Sequence, residues 1–505
     1  MNKHISNFRK IIIIGILTLL FGSCSDFLDK NPLDQISSQT FWTSDNEVQM
    51  ALAGVYSRLY VATFNHDDAK TDVMAGESSA NQSQAWVPIA QGGITSTAGS
   101  IINEIYSNCY LGIGSCNFFL ANVDKAKAVV SDANLNKYKA EVMFLRALFY
   151  NELVDAYGGV PLYTKPVTID EAKVKQSTKE QVVTQILSDL DFAIANLPNV
   201  AYTDGHAVKG SALALKARVL LYNSRWAEAA ATAKQVMDLG KFTIFNNYRT
   251  LFLAIGQTNN TEIIFSTRYL NPDQAGDLDI RWNWHGVVNP RRELVDDYEC
   301  KDGLPITSSP LYNPAKIYEN RDPRLAMTIK DFSESAVLNS SGKLVTFMYN
   351  GQSASGFNPV KYGNWDALTC DYSTKSEQDW ILIRYADVLL MYAEATNEAT
   401  GPNQSVYDAL NAIRARPGVA MPAIATGKTQ AQLRDIIRHE RRIELAMEGQ
   451  RWSDIKRWKT AETYINTLVD QGGTKRKFIA PTHYLLPFPQ SEIDVNKNLV
   501  QNPGY

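Results

Sequence analysis

Arg281-Trp282-Asn283-Trp284-His285 gathers two indoles, a guanidinium, an amide and an imidazole into five consecutive residues. That mixture suits sugar recognition. A sugar ring carries C–H patches on its faces and hydroxyls around its rim, so an aromatic plane buries the faces while Asn, Arg, Asp or Gln bonds the rim. If the segment is extended, alternation along a strand turns Trp282 and Trp284 to one face. A second mixed stretch, Asn81-Gln82-Ser83-Gln84-Ala85-Trp86, follows Asp72 and Glu77. These stretches give the candidate ligand-binding residues Trp282, Trp284, Asn283, Arg281, Trp86, Asn81 and Asp72. The competing reading makes the same tryptophans core anchors of a long loop, and the sequence leaves both open.

Catalysis finds less support. The six histidines, His4, His66, His206, His285, His439 and His483, show no i, i+4 pair for zinc, and His439-Glu440-Arg441-Arg442 lacks the second histidine of a metalloprotease helix. A phosphate-binding glycine loop and a serine elbow are both missing. The paired carboxylates of a glycosidase can lie far apart in sequence, so a surface hydrolase stays among the alternatives. Asp273, Asp277 and Asp279 could neighbour a calcium ion, although their spacing is not that of a calcium loop. No catalytic residue, metal or cofactor is expected. Arg384, inside the apolar run Ile381 to Leu390, needs a carboxylate if it is buried. The stripe through Leu433, Ile436, Ile437, Ile443 and Met447 also holds Glu440 and Glu444, which makes them its candidate partners. Otherwise the two carboxylates pair within their own helix.

The N-terminus has the layout of an export signal: Lys3, Arg9 and Lys10 precede an uncharged run from Ile11 to Phe21, closing on Gly22, Ser23 and Cys24. The run is about half the roughly 20 residues that a spanning helix needs. Leu20, Gly22, Ser23 and Cys24 resemble the lipobox of bacterial lipoproteins, in which the Cys is acylated and becomes the new N-terminus; Phe21 departs from the usual aliphatic residue. The chain therefore divides into a signal peptide at 1–23, a lipidated tether at 24–40, and one unit at 41–505. That unit exceeds the usual domain size about threefold, but no long Pro/Ser-rich or charged linker interrupts it. A formal net charge of -3, with Lys and Arg scattered, gives no footprint for nucleic acid. Cys109, Cys116, Cys300 and Cys370 are too few for a disulfide scaffold. Cys109 and Cys116 would stand about 10 Å apart on a continuous helix, so only a break at Gly112 or Gly114 could join them. Buried thiols are expected, with a Cys300 to Cys370 bridge as the alternative.

Helical periodicity dominates the rest of the chain. Val142, Leu145, Phe149 and Leu153 form one stripe in Tyr138 to Tyr157, which Gly158, Gly159 and Pro161 stop. Further helices are expected at about Thr178 to Leu197, Lys209 to Tyr222, Trp226 to Leu239, Trp380 to Ala399, Ser405 to Ala415, Thr429 to Glu448 and Trp452 to Val469. Adjacent pairs suggest hairpins. Arg225-Trp226-Ala227-Glu228 and Arg451-Trp452-Ser453-Asp454 open the second helix of two pairs, so one turn is reused, with Trp226 and Trp452 as interhelical wedges. Glu228 and Asp454 lie where the helix dipole favours negative charge. The predicted class is all-α, a tetratricopeptide-like helical repeat scaffold at about 132–240 and 380–470, with long loop-rich insertions at about 65–100 and 243–375. Short strands are expected in the latter at Ile263 to Thr267 and Lys343 to Tyr349. Loops this long are usually functional or disordered, and Trp86, Trp282, Trp284 and Trp365 argue against disorder.

Cys24-Ser25-Asp26-Phe27-Leu28-Asp29, the Phe41-Trp42 to Tyr56 helix, Tyr157-Gly158-Gly159-Val160-Pro161, the run Ile383 to Leu390 with Ala393-Glu394-Ala395, Arg438 to Trp452, and the Pro487 to Tyr505 tail resemble, in order, the SusD/RagB-like lipoproteins. The resemblance spans the whole mature chain. It implies a lipid-anchored, surface-exposed, non-catalytic outer-membrane protein that takes up an oligosaccharide and hands it to a SusC-like TonB-dependent transporter. By the same resemblance, ligand residues come from loops at about the two mixed segments. Two other readings stand beside it: a lid or scaffold subunit of the transporter with no glycan site of its own, and a receptor for a peptide or other non-sugar nutrient. An exposed concave surface shared by Trp86, Trp282 and Trp284 would favour the glycan reading over the scaffold reading.

Overall fold

The computed structural model describes residues 41–61, 64–65, 69–81, 84–331, 336–338, 343–346, 353–364 and 373–505; residues 283–284, 336–338 and 344–346 are described by their backbone only. Cys24, Trp365 and Cys370 fall outside these residues, as do the signal peptide and tether, so the anchor lies outside the description, and of the suggested Cys300 to Cys370 pair only Cys300 is described.

Helices begin where a side chain can satisfy the first free N–H groups. Ser44 caps α1 (Asp45–Tyr56), and Ser131 caps α3 (Asp132–Tyr157), which follows α2 (Ile101–Asn122). Thr178 and Gln181 form a capping box on α4 (Lys179–Asn196), which leads to α5 (Lys209–Tyr222) and α6 (Trp226–Asp238). After a long excursion come α7 (Tyr385–Thr400), α8 (Gln404–Arg414, capped by Asn403), α9 (Gln430–Glu444, with a Thr429 and Gln432 capping box) and α10 (Arg451–Arg457). Neighbours in sequence pack as hairpins, α2 on α3, α3 on α4, α4 on α5, α5 on α6, and α7 on both α8 and α9. α7 also packs on α6, so the two runs of repeats, apart in sequence, form one tetratricopeptide-like stack. Val142, Leu145, Phe149 and Leu153 are all buried in it.

α2 is a helix the periodicity reading did not include. Its two glycines do not break it. Gly112 sits where a Cβ would come 2.6 Å from the Phe149 ring, so the residue without a side chain lets α2 approach α3 closely. Cys109 and Cys116 are buried thiols along this helix, Cys300 is buried too, and none of the three is in a disulfide.

Three expected helices are shorter than their apolar patterns. Trp380–Arg384 is a strand paired antiparallel with Ile263–Thr267, and the helix starts only at Tyr385. A short, largely apolar run fits either state, and here a buried partner strand decides. α9 stops at Glu444, after which Met447 (φ 66) and Gly449 (φ 73) turn the chain. The segment from Trp452 is split into α10 and Ala461–Ile465 by Lys459 in the left-handed region (φ 59). Other strand pairs are Ser78–Ser79 with Asn289–Pro290, Ile329–Asp331 with Phe357–Pro359, and Ala336–Leu338 with Leu344–Thr346, the last inside the expected run from Lys343. No helix among the described residues is long and apolar enough to cross a membrane.

Candidate functional site

The two mixed segments, some 200 residues apart in sequence, lie side by side. Ser78 stands opposite Pro290 and Ser79 opposite Asn289, the Asn81 N–H donates to the Gly286 carbonyl (3.4 Å), and the Arg291 N–H donates to the Glu77 carbonyl (2.9 Å). The paired residues Ser78, Ser79, Asn289 and Pro290 are buried, and Asn81, Arg281 and His285 form a partly exposed ridge at their edge, which charge fixes. Arg291 donates to Ser79 (3.2 Å) and Asp470 (2.7 Å), while buried Glu77 pairs with Arg442 (3.1 Å) and Arg451 (3.2 Å) from α9 and α10. The strand Phe357–Pro359 runs beside it, with Asn289 donating to Asn358 (3.4 Å), and its Phe357 borders a cleft of about 660 Å3 with Arg292, Tyr318, Glu319 and Asp331.

Ile280–Trp284 is a π-helical turn, so the strand alternation that would align the two indoles does not apply. Trp282 is 1 % exposed and meets Tyr362 (5.9 Å) and Trp380 (6.1 Å) edge to face, closing an aromatic cluster in the core. Arg281 stays about one-third exposed and donates to Asp277 (2.7 Å). The turn is held by Asp279, whose buried carboxylate accepts from the Asn364 N–H (2.7 Å), Ser376 (2.9 Å) and Gln378 (2.9 Å); burial raises its pKa from the ordinary value. Asp277 and Asp279 of the suggested calcium trio are therefore engaged with protein groups.

Trp86 is also in the core, at 4 % exposure. Asp72 is buried on the short helix Lys70–Met74 and accepts the Gly449 N–H (3.1 Å); burial pushes its carboxyl up to about 8. Trp282, Trp86 and Asp72 thus have no free face for a ligand here, and Trp86 and Trp282 do not share an exposed concave surface. Arg281, Asn81 and His285 remain partly exposed along the ridge, and Asn283 and Trp284 lie on the same turn. The hydrogen-bonding role of Asp279 had no sequence signal, because its partners at 364, 376 and 378 adjoin it only after folding.

Beneath the ridge lies a buried ion network. Arg384 contacts Glu262 (2.8 Å), Glu444 (2.8 Å) and Glu448 (2.7 Å), which makes Glu444 the partner of the two candidates; Glu440 instead pairs with Arg324 (2.5 Å) and Arg414 (2.8 Å). Arg416 bridges Glu262 (2.6 Å) and Glu444 (2.8 Å), and Lys361 meets Glu448 (2.5 Å). Burial works against the Glu444 charge, but Arg416, Arg384 and Arg324 outweigh it and hold the carboxyl well below its usual range. Burial pushes Lys361 down to about 8. Through these groups α9 holds the segments around 262, 324, 361 and 384 at fixed positions.

Residues 251–505 match the SusD family model, and residues 26–221 match a model described as starch-binding associating with outer membrane. The chain is 26% identical to a SusD-like protein of Formosa agariphila over 98% of this chain and 99% of that one. It is 24% identical to the starch-binding protein SusD of Bacteroides thetaiotaomicron over 100% and 99%. Among solved structures, a SusD-like carbohydrate binding protein of Bacteroides fragilis aligns with TM-score 0.81 and 28% identity, covering 91% of this chain and 100% of that one. A laminarin binding SusD-like protein aligns with TM-score 0.71 and 25% identity, covering 92% and 100%. Matched by the family model over just over half its length and by relatives from end to end, this chain belongs to the SusD family.

Proposed function

We propose that this protein is a non-catalytic outer-membrane lipoprotein that binds an oligosaccharide at the ridge formed by residues 77–81, 84–86 and 281–291 and passes it to a SusC-like TonB-dependent transporter. The observation that carries the reading is that the strand pairing of Ser78 and Ser79 with Pro290 and Asn289, which flank the two mixed segments, brings those segments together. The carbohydrate, starch and laminarin named for its relatives support the ligand class, and the description of the N-terminal model supports the outer membrane. Trp284 supplies the stacking plane, and Arg281, Asn81 and Asn283 bond the hydroxyls. Trp282, Trp86 and Asp72 act as positioning residues beneath them.

Two variants separate the roles. Trp284→Ala removes an aromatic anchor, which at a hot spot costs more than about 2 kcal/mol, so affinity should fall about thirtyfold with little change in melting temperature. Trp282→Ala should lower the melting temperature first. Calorimetric titration with the glycan picked out by an array reads the affinity; unchanged affinity in both Trp284→Ala and Asn81→Ala would remove the ridge from the site. Burial of Trp86 and Trp282 favours a second reading, a transporter lid with no glycan site. An array without a hit, together with complex formation with the transporter, would establish that reading instead.

A further inference from the structure

One groove belongs to neither the ridge nor the ion network. It runs between α1 and α2, has a volume of about 690 Å3, and is lined by Phe41, Met50, Arg58, Leu111 and Phe118 among others. Met50, Leu111 and Phe118 are 54%, 56% and 53% exposed, an unusual concentration of large apolar side chains on one open surface. Two glycines make the groove. A Cβ on Gly54 of α1 or Gly114 of α2 would meet nothing within 4 Å, so both helices leave room where a side chain would fill it. At one end sits Trp42, held in the left-handed region (φ 81) with its ring edge-on to Phe41 and Phe119. That conformation is costly for a bulky residue and persists where the surroundings impose it.

We propose that the groove is the docking site of the chain's own segment 25–40. Three observations select this occupant. First, the segment ends at the groove, because the next residues, Phe41 and Trp42, line it. Second, it carries Phe27, Leu28, Leu33 and Ile36, apolar groups complementary to an apolar surface, and a tethered segment meets its site at an effective concentration on the order of millimolar. Third, the charges match: Asp26, Asp29 and Asp34 outnumber Lys30, and Arg58 is the charged residue of the lining. Fully extended, the segment reaches about 50 Å, whereas α1 is about 18 Å long, so it can run the groove with slack left toward Cys24. Docking of Leu33 and Ile36 beside Leu111 and Phe118 shortens the free tether and fixes which face of the body lies nearest the anchor. This holds whatever the ridge binds.

Hydrogen exchange read by mass spectrometry on the mature chain carrying Cys24→Ala tests it. Amides of residues 33–39 should exchange at least tenfold more slowly than in a free peptide of the same sequence. The pair Leu111→Ser and Phe118→Ser should restore the free rate at unchanged melting temperature, since both side chains are exposed. Leu33→Ser with Ile36→Ser should do the same and leaves the folded body untouched. Free-peptide exchange in the parent overturns the proposal. So does protection that vanishes on dilution along with a dimer in sedimentation, which would give the groove to a second copy. So, too, does free exchange of 33–39 combined with vesicle binding that the groove pair abolishes, which would give it to lipid.

Discussion

Glu444 shows how much a single buried charge holds. Its carboxylate serves Arg384, Arg416 and Arg324 at 2.8 Å each, in a region where all four side chains are at most 1% exposed. Removing one partner of such a set leaves the others buried and uncompensated, so Glu444→Gln should cost about 3–5 kcal/mol, read as a lower urea midpoint. A midpoint within error of the parent would mean that the arginines find other acceptors. Trp452 and Trp226 occupy the same register of a reused turn but at different depths. Trp452 is 6% exposed and packs edge-on against Phe478 of the C-terminal segment, whereas Trp226 is only half-buried. Trp452→Ala should therefore cost roughly 3–5 kcal/mol and Trp226→Ala less than half of that, against the equal wedges that the repeated turn suggests. Thermal melts of the two variants compare them. The carboxylate stripe of α9 was legible in sequence because helical period places Glu444 with Leu433 and Ile437. Which arginine met which glutamate was not, because Arg324 and Arg414 approach Glu440 from other elements.

At the scale of elements, the caps and apolar stripes placed α3 to α6 and α8 close to where periodicity put them. α2 was missed and the ends of α9 and α10 overrun, because turns such as Met447 and Lys459 are set by packing rather than composition. Asp72 ties one such turn to the helix Lys70–Met74 by accepting the Gly449 N–H, with Glu77, Glu448 and Lys361 as its charged neighbours. Its carboxyl is pushed from 3.8 up to about 8, so between these values the folded protein keeps a proton that the unfolded chain releases. The stabilisation is then fully present below about pH 4 and is lost as pH rises through about 8. Asp72→Asn keeps an acceptor for Gly449 without the titration. The difference in melting temperature between parent and variant should change progressively from pH 5 to pH 8.5, to the parent's disadvantage at high pH. A constant difference would show that Asp72 does not titrate in this window.

The molecule as a whole is a helical stack whose loops bring residues 77–81 beside 286–291. Changing Cys24 to Ala should move the protein from the membrane to the soluble fraction with its melting temperature unchanged, since the substitution removes one side chain at the far end of the tether that precedes the helical unit; retention on membranes after high-salt washing would refute acylation at this residue. The sequence by itself determined the helical class, most of the helix starts and the pairing of neighbours into hairpins, because each depends on residues within a few turns of one another. Tertiary structure decided the rest. Trp380–Arg384 became a strand because Ile263–Thr267 lay ready to pair with it, and α7 joined the stack by packing on α6. Trp282 went to the core because Tyr362 and Trp380, some 80 to 100 residues further on, close around it. Periodicity reports which face of an element is apolar, whereas exposure depends on which distant segment comes to cover that face, and only the folded chain contains that information.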